Sequence, residues 1–252
     1  SPQLETNLRE VLRIDPGHLT ARLMLVDYLL SAKRVAEAQQ ECETCRKQAP
    51  DDPRVGIELG LYHFQMGQMG EARREIEGAI ERVSDANLGM QGLITLGQIA
   101  AAEQDWQRAV EHYTRAVHLR PFDGVATYSL GTALSKLGKG DEAAKYVERY
   151  KLLAKQNEEI AEINGALVKD TANVDLRIKM AGILFEQGRK ADAATWMLSA
   201  LRYDPQRREA HELLAEFYEE AGKLELAQQH RDAARAGSSS SSSQESAANS
   251  VP

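Results

Sequence analysis

The stretch AVEHYTRAVHLRP, residues 109–121, places Ala109, Tyr113, Ala116 and Pro121 at offsets of four, three and five. The same frame holds Ala38, Cys42, Cys45 and Pro50, then Ala72, Ile76, Ala79 and Ser84. Beyond the quoted stretch it returns as Ala143, Val147, Tyr150 and Lys155, and again as Ala193, Met197, Ala200 and Pro205. Ala227, Arg231 and Ala234 form an incomplete last copy, and Leu4, Leu8, Val11 and Pro16 an upstream one. The frame ends fall at 16, 50, 84, 121, 155 and 205. Self-similarity with a period near 34 residues predicts a solenoid of small, mutually supporting units.

A second pattern precedes each full copy: Leu25-Val26, Leu59-Gly60, Leu96-Gly97, Leu130-Gly131, Met180-Ala181 and Leu214-Ala215. Gly67, Gly138, Gly188 and Gly222 stand between the two patterns, where a helix should terminate. Each unit therefore reads as helix, short turn, helix. Offsets of three and four share one helical face, and small residues on that face let two backbones approach closely. Tyr113 fills the space beside them, and Pro121 ends the second helix because it lacks an N–H and restricts its predecessor.

Composition agrees. Of 252 residues, 42% are apolar and 6% aromatic, good helix formers abound, and no run alternates β-branched residues as a strand would. The formal charge of −7 argues against a nucleic-acid partner, which calls for a basic face. No stretch has the ~20 apolar residues of a membrane span, so no direct membrane insertion is expected of this fragment.

The combined pattern strongly resembles the tetratricopeptide repeat (TPR), with Leu-Gly on the first helix and Ala, aromatic, Ala and Pro on the second. The resemblance implies an all-α, right-handed α-solenoid of stacked helix-turn-helix repeats. Its expected layout is a partial N-terminal repeat, second helix only, over 1–16 and repeats one to four over 17–155. A helix extension and inserted loop follow at 156–173, repeats five and six at 174–236, and a disordered serine-rich tail at 237–252. Two irregularities stand out. DANLG at 85–89 reads as a lengthened loop, and the second helix of repeat four reads as overlong, with a terminus at Asn164-Gly165.

Chemistry is sparse. Cys42 and Cys45 form a C-x-x-C without a preceding strand, without the histidine that haem attachment needs and without a second ligand pair for zinc, so they read as core fillers. GKGDEA at 138–143 fails as a phosphate loop and reads as a turn capped by Asp141. His112 and His118 fall on different helical faces, Trp106 and Trp196 on packing positions. No catalytic residues, cofactor or metal site are legible.

The resemblance implies that the first helices line a concave groove for a peptide or partner domain. By position, the groove residues are Arg54, Ile57, Leu61, Phe64, Gln91, Ile94, Gln98, Tyr128, Thr132, Ile178 and Phe185, with Glu58, Thr95, Val125, Ser129, Asp175 and Lys179 between them. Repeat six contributes Glu209, Glu212, Glu216 and Glu219. Co-chaperone members of the family clamp a terminal carboxylate with Lys, Asn and Arg. Here Leu23, Asp27, Gln91 and Thr95 stand at such positions, which excludes that ligand. The expected function is a non-catalytic protein-interaction scaffold, with the alternative of an adaptor region in a larger enzyme or multidomain protein whose catalytic part lies upstream. The overlong helix and half-repeat leave room for homo-oligomerisation. Cytoplasm and periplasm fit the sequence equally.

Overall fold

The computed structural model describes the backbone of residues 2–248 and the side chains of residues 3–236. Every regular element among them is a helix: α1 (Pro2–Ile14), α2 (Leu19–Ser31), α3 (Val35–Gln48), α4 (Pro53–Gln65), α5 (Met69–Ala79), α6 (Ala86–Ala102) and α7 (Trp106–Leu119). There follow α8 (Gly124–Lys136), α9 (Gly140–Lys169), α10 (Val174–Glu186), α11 (Lys190–Leu201), α12 (Arg208–Glu220) and α13 (Leu224–Ala248). One single helix thus precedes six helical hairpins, an all-α solenoid of repeats. The chain forms two compact units, residues 1–150 and 151–252.

The hairpins close as their residues require. Gly67, Gly138, Gly188 and Gly222 all adopt positive φ at the turn, and in the other two hairpins Lys33 (φ 60°) and Gln104 (φ 61°) take the same conformation at some cost. First helices are capped by side-chain oxygens: Asp52 on α4, Asp85 on α6, Asp123 on α8 and Asn173 on α10. Within each pair the approach is tight. A Cβ on Gly97 would lie 2.5 Å from Tyr113 Cε1, and one on Gly60 only 2.3 Å from Ile76 Cγ1. Ala109, Ala116, Ala72 and Ala79 sit fully buried in the same seams.

In the first unit, Leu8 of α1 joins Leu25, Val26, Leu29, Cys42, Cys45 and Tyr62 in one core, and Ile57, Ile76, Leu93, Tyr113, Leu130 and Leu134 belong to the next. In the second unit, Ile163 and Leu167 of α9 pack with Met180, Leu184, Met197 and Leu214.

Three expectations change. DANLG is not a loop: Asp85 accepts hydrogen bonds from the N–H groups of Asn87 and Leu88, so the extra residues lengthen α6 at its N-terminus. Asp141 lies inside the first turn of α9 rather than capping it. The overlong helix is present, but α9 runs through Asn164 and Gly165 to Lys169. A helical glycine costs only about 1 kcal/mol against alanine, and burial of Ile163 and Leu167 outweighs it. The serine-rich segment is helical backbone as far as Ala248, while its side chains and residues 249–252, and with them the rest of the expected tail, lie outside the described residues.

The inserted residues have a register. Glu159, Ile163, Ala166 and Thr171 repeat the four, three and five offsets, and Thr171 stands 34 residues before Pro205. Backbone carbonyls at the frame ends accept side-chain donors from the following repeat: Pro16 O from Arg22 (2.6 Å) and Gln48 (2.9 Å), Pro121 O from Arg149 (3.1 Å), Pro205 O from the His211 ring nitrogen Nε2 (3.0 Å). Thr171 O accepts from Arg177 in the same way. One continuous helix therefore carries two successive second-helix registers.

Overpacking predicts that Gly97→Ala lowers unfolding free energy by about 1–3 kcal/mol in urea denaturation, because the Tyr113 ring must move. Gly131→Ala should cost less, since the added methyl would meet Tyr146 Cβ only at 3.3 Å. Equal losses would contradict the tight-seam account. Ile163→Ala should cost about 2–4 kcal/mol and release hydrogen-exchange protection in α10; an unchanged α10 would remove the second register of α9.

Candidate partner-binding groove

In the first unit α2, α4 and α6 present their N-terminal and inner faces side by side, which opens two adjoining cavities that share Asp27 and Gln91. The larger, about 330 Å³, is lined by Leu30, Leu61, Phe64, Gln91, Ile94 and Thr95 among others. The smaller, about 200 Å³, has Leu23, Met24 and Leu88 as apolar walls and Asp27, Arg54, Glu58 and Asp85 as charged ones. Four of the expected groove residues thus meet in one cavity, and Arg54 shares the other with Gln91.

The remaining expected residues are distributed differently. Ile57 is fully buried, packed under Gly92 in the core, and is withdrawn from the groove. The fifth residue of α4 faces the seam there, because Gly92 on α6 lets it sink. Tyr128 is 55% exposed, with its ring 5.1 Å from that of Tyr150, and with Thr132 and Ser129 it borders a separate cavity of about 120 Å³ beside Trp106 and Tyr113. Gln98 is exposed and lines neither groove cavity. Ile178 and Phe185 belong to the second unit, where both pack partly against its core and the Lys190 ammonium lies 5.1 Å from the Phe185 ring centre.

Electrostatics concentrate at Glu58. This side chain is 5% exposed, and its Oε2 makes no hydrogen bond among the described residues. Burial, reinforced by the Asp27 carboxylate, pushes the Glu58 carboxyl up to about 8, and burial raises Asp27 as well. Arg54, one turn before Glu58, does not neutralise it: its guanidinium is held by Asp52 at 2.7 Å, which draws Asp52 below the usual carboxylate range. Nearby, Cys42 and Cys45 are buried free thiols. Burial lifts Cys45 to about 11 and Cys42 higher still, so both are protonated core members at neutral pH.

The acidic face expected on repeat six is balanced. Glu212 pairs with Arg208 at 2.7 Å and Glu219 with Arg231 of α13, around a polar cavity of about 390 Å³. The repeat frame carries no sign of the partner that Arg231 finds across the hairpin. The pattern puts Asp27 and Glu58 on the inner face, but their proximity and the burial of Glu58 depend on how α2 meets α4.

Linkage sets the sign of one test. Glu58 binds its proton more tightly folded than unfolded, so its contribution is complete below about pH 4.5 and is lost as pH rises toward about 8. Glu58→Gln keeps the shape without the titration. It should therefore leave stability unchanged near pH 4.5 and raise it at pH 8 by on the order of 3 kcal/mol. Denaturant midpoints of both proteins across this range provide the measurement, and a difference that does not grow with pH would refute the buried-acid assignment.

Family models described as tetratricopeptide repeat match residues 5–57, 94–158 and 177–241. A TPR repeat-containing protein of Pseudomonas aeruginosa is 28% identical over 205 residues, covering 79% of this chain and 31% of the relative. The chain thus spans about a third of that relative's length. Among solved structures, a chain of the APC/C hetero-tetramer Cut9–Hcn1 is similar with a TM-score of 0.52 at 16% identity, over 94% of this chain and 43% of that one. The human IFIT1 dimer with PPP-AAAA gives a TM-score of 0.50 at 15% identity, over 90% and 57%. At such identity these structures speak to the fold alone. Among the described residues no helix is long and apolar enough to cross a membrane. Repeat frame, tight seams and matching family models converge: the chain belongs to the tetratricopeptide-repeat family and is, as such repeats imply, a scaffold for protein interaction.

Proposed function

We propose that the inner face of α2, α4 and α6 binds an extended peptide of a partner protein. The observation that carries this reading is the lining of the larger cavity. Leu61, Phe64 and Ile94 offer partly exposed apolar surface, while Asp27, Gln65 and Gln91 offer hydrogen-bonding groups beside it. Apolar pockets interleaved with amides and carboxylates suit a chain whose backbone is hydrogen-bonded while a few side chains are buried. Tyr128 and Thr132 would extend this surface along the first unit.

The test is selection of peptides from a displayed random library against the purified protein, followed by fluorescence anisotropy. Phe64→Ala combined with Gln91→Arg should weaken the selected peptides at least about tenfold, the loss of roughly 1.4 kcal/mol, with helicity unchanged by circular dichroism. Peptides that bind the double variant as well as the native protein would move the site elsewhere.

A second reading is favoured by the 31% coverage of the Pseudomonas relative. In it, this region is the adaptor of a longer multidomain protein, whose other parts include an upstream catalytic domain. The complete open reading frame decides it: no folded domain beside the repeats would end this reading.

A further inference from the structure

Resting on the groove reading, we propose that the smaller cavity, bounded by Asp27 of α2, Glu58 of α4 and Asp85 before α6, is a subsite for the cationic end of a lysine or arginine side chain on the bound peptide.

The shape of the cavity matches an amphipathic side chain. Leu23, Met24 and Leu88 supply an apolar wall for a methylene stem, and the carboxyls of Asp27, Glu58 and Asp85 share the lining with them. Thr20, Asn87 and Gln91 add polar side chains around the rim. The charge count is lopsided. Three carboxyls border the cavity against one arginine, and that arginine is already engaged by Asp52, with its Nη1 turned to Thr20 Oγ1 at 3.3 Å.

Glu58 adds the independent observation. It lines the cavity, is 5% exposed, and leaves a buried oxygen without a hydrogen bond among the described residues. Native proteins rarely bury an unmet acceptor, because the water it loses is not replaced. A cation delivered to the cavity would meet that acceptor and also relieve the repulsion between Glu58 and Asp27. Among the described residues Lys33 borders only the adjoining cavity, and no other element packed here supplies an unpaired cation. From α3 come the protonated thiols Cys42 and Cys45 and the Glu41 carboxylate, and Glu41 already holds Arg22 of α2. Arg54 on α4 and Asp85 complete the set of charged neighbours.

The arrangement also predicts a pH dependence. The raised carboxyl must lose its proton to pair with a cation, while an alkylammonium stays charged to about pH 10. Affinity for the cation should therefore climb with pH, by up to about tenfold per unit below pH 8.

Two arms test the subsite. In the first, n-butylammonium, n-butylguanidinium and uncharged 1-butanol are titrated into the native protein and into Glu58→Gln at pH 6 and pH 8. The methyl NMR signals of Leu23, Met24 and Leu88 are followed. The subsite predicts saturable shifts with either cation and none with butanol, weaker at pH 6 and at least tenfold weaker in Glu58→Gln. Absent shifts, or equal binding by the two proteins, would overturn it. This arm contains no peptide, so its outcome is separate from that of the groove test. In the second arm, each basic residue of the library-selected peptides is replaced by norleucine. One replacement should cost the native protein at least tenfold in affinity and cost Glu58→Gln little. If peptides bind with no such residue, the groove stands and the cationic subsite falls. If the small cations bind but no peptide does, the peptide-borne cation falls with the groove reading.

Discussion

Everything in this protein depends on how closely two helices can lie. At Gly97 the space a β-carbon would fill is taken by the Tyr113 ring, and at Gly60 by the Ile76 side chain. These contacts replace side-chain-to-side-chain spacing with backbone-to-side-chain spacing. They bring Ala109 and Ala116 of the second helix, both fully buried, into the same seam. Close packing makes the geometry discrete, since density near that of an organic crystal leaves no room for sliding. A hairpin fixed in this way has only one outer face to offer its neighbour, and stacking follows.

Between repeats, a different device keeps the register. At four of the frame ends, Pro16, Pro121, Thr171 and Pro205, the backbone carbonyl accepts a hydrogen bond from the next repeat, as Pro121 does from Arg149 and Pro205 from His211. Ion pairs such as Arg46–Glu75 and Arg115–Glu81 bridge residues about one repeat apart. They are exposed and worth little individually. The carbonyl contacts satisfy main-chain acceptors at helix ends, which is a firmer requirement. Thr171, just beyond the helix that the insertion lengthens, receives the same kind of contact from Arg177.

The groove follows from the seams. First helices tied to their partners by glycine and alanine turn their other face outward, and the side chains there are free of the packing code. That freedom is where Glu58 departs from ordinary surface chemistry. A carboxyl buried beside a second one is a liability for folding alone. It lines a cavity whose one arginine among the described residues is already paired. The thiols behind it have no such opening: Cys42 and Cys45 are each 1% exposed and simply fill the core.

The sequence by itself determined the helical makeup of the repeats, the four glycine turns and the packing role of the cysteines. Each of these rests on local spacing or on the intrinsic preference of glycine, proline and alanine, which are written residue by residue. Only the tertiary structure decided that Ile57 sinks beneath Gly92 instead of lining the groove, and that DANLG winds into α6. The same holds for the passage of α9 through Gly165 and for the pairing of Arg231 with Glu219. It also decided that Asp27 and Glu58, thirty-one positions apart, share one cavity. In every such case the outcome turns on what a neighbouring helix presents, and a periodic pattern specifies which face is inward without specifying what that face will meet.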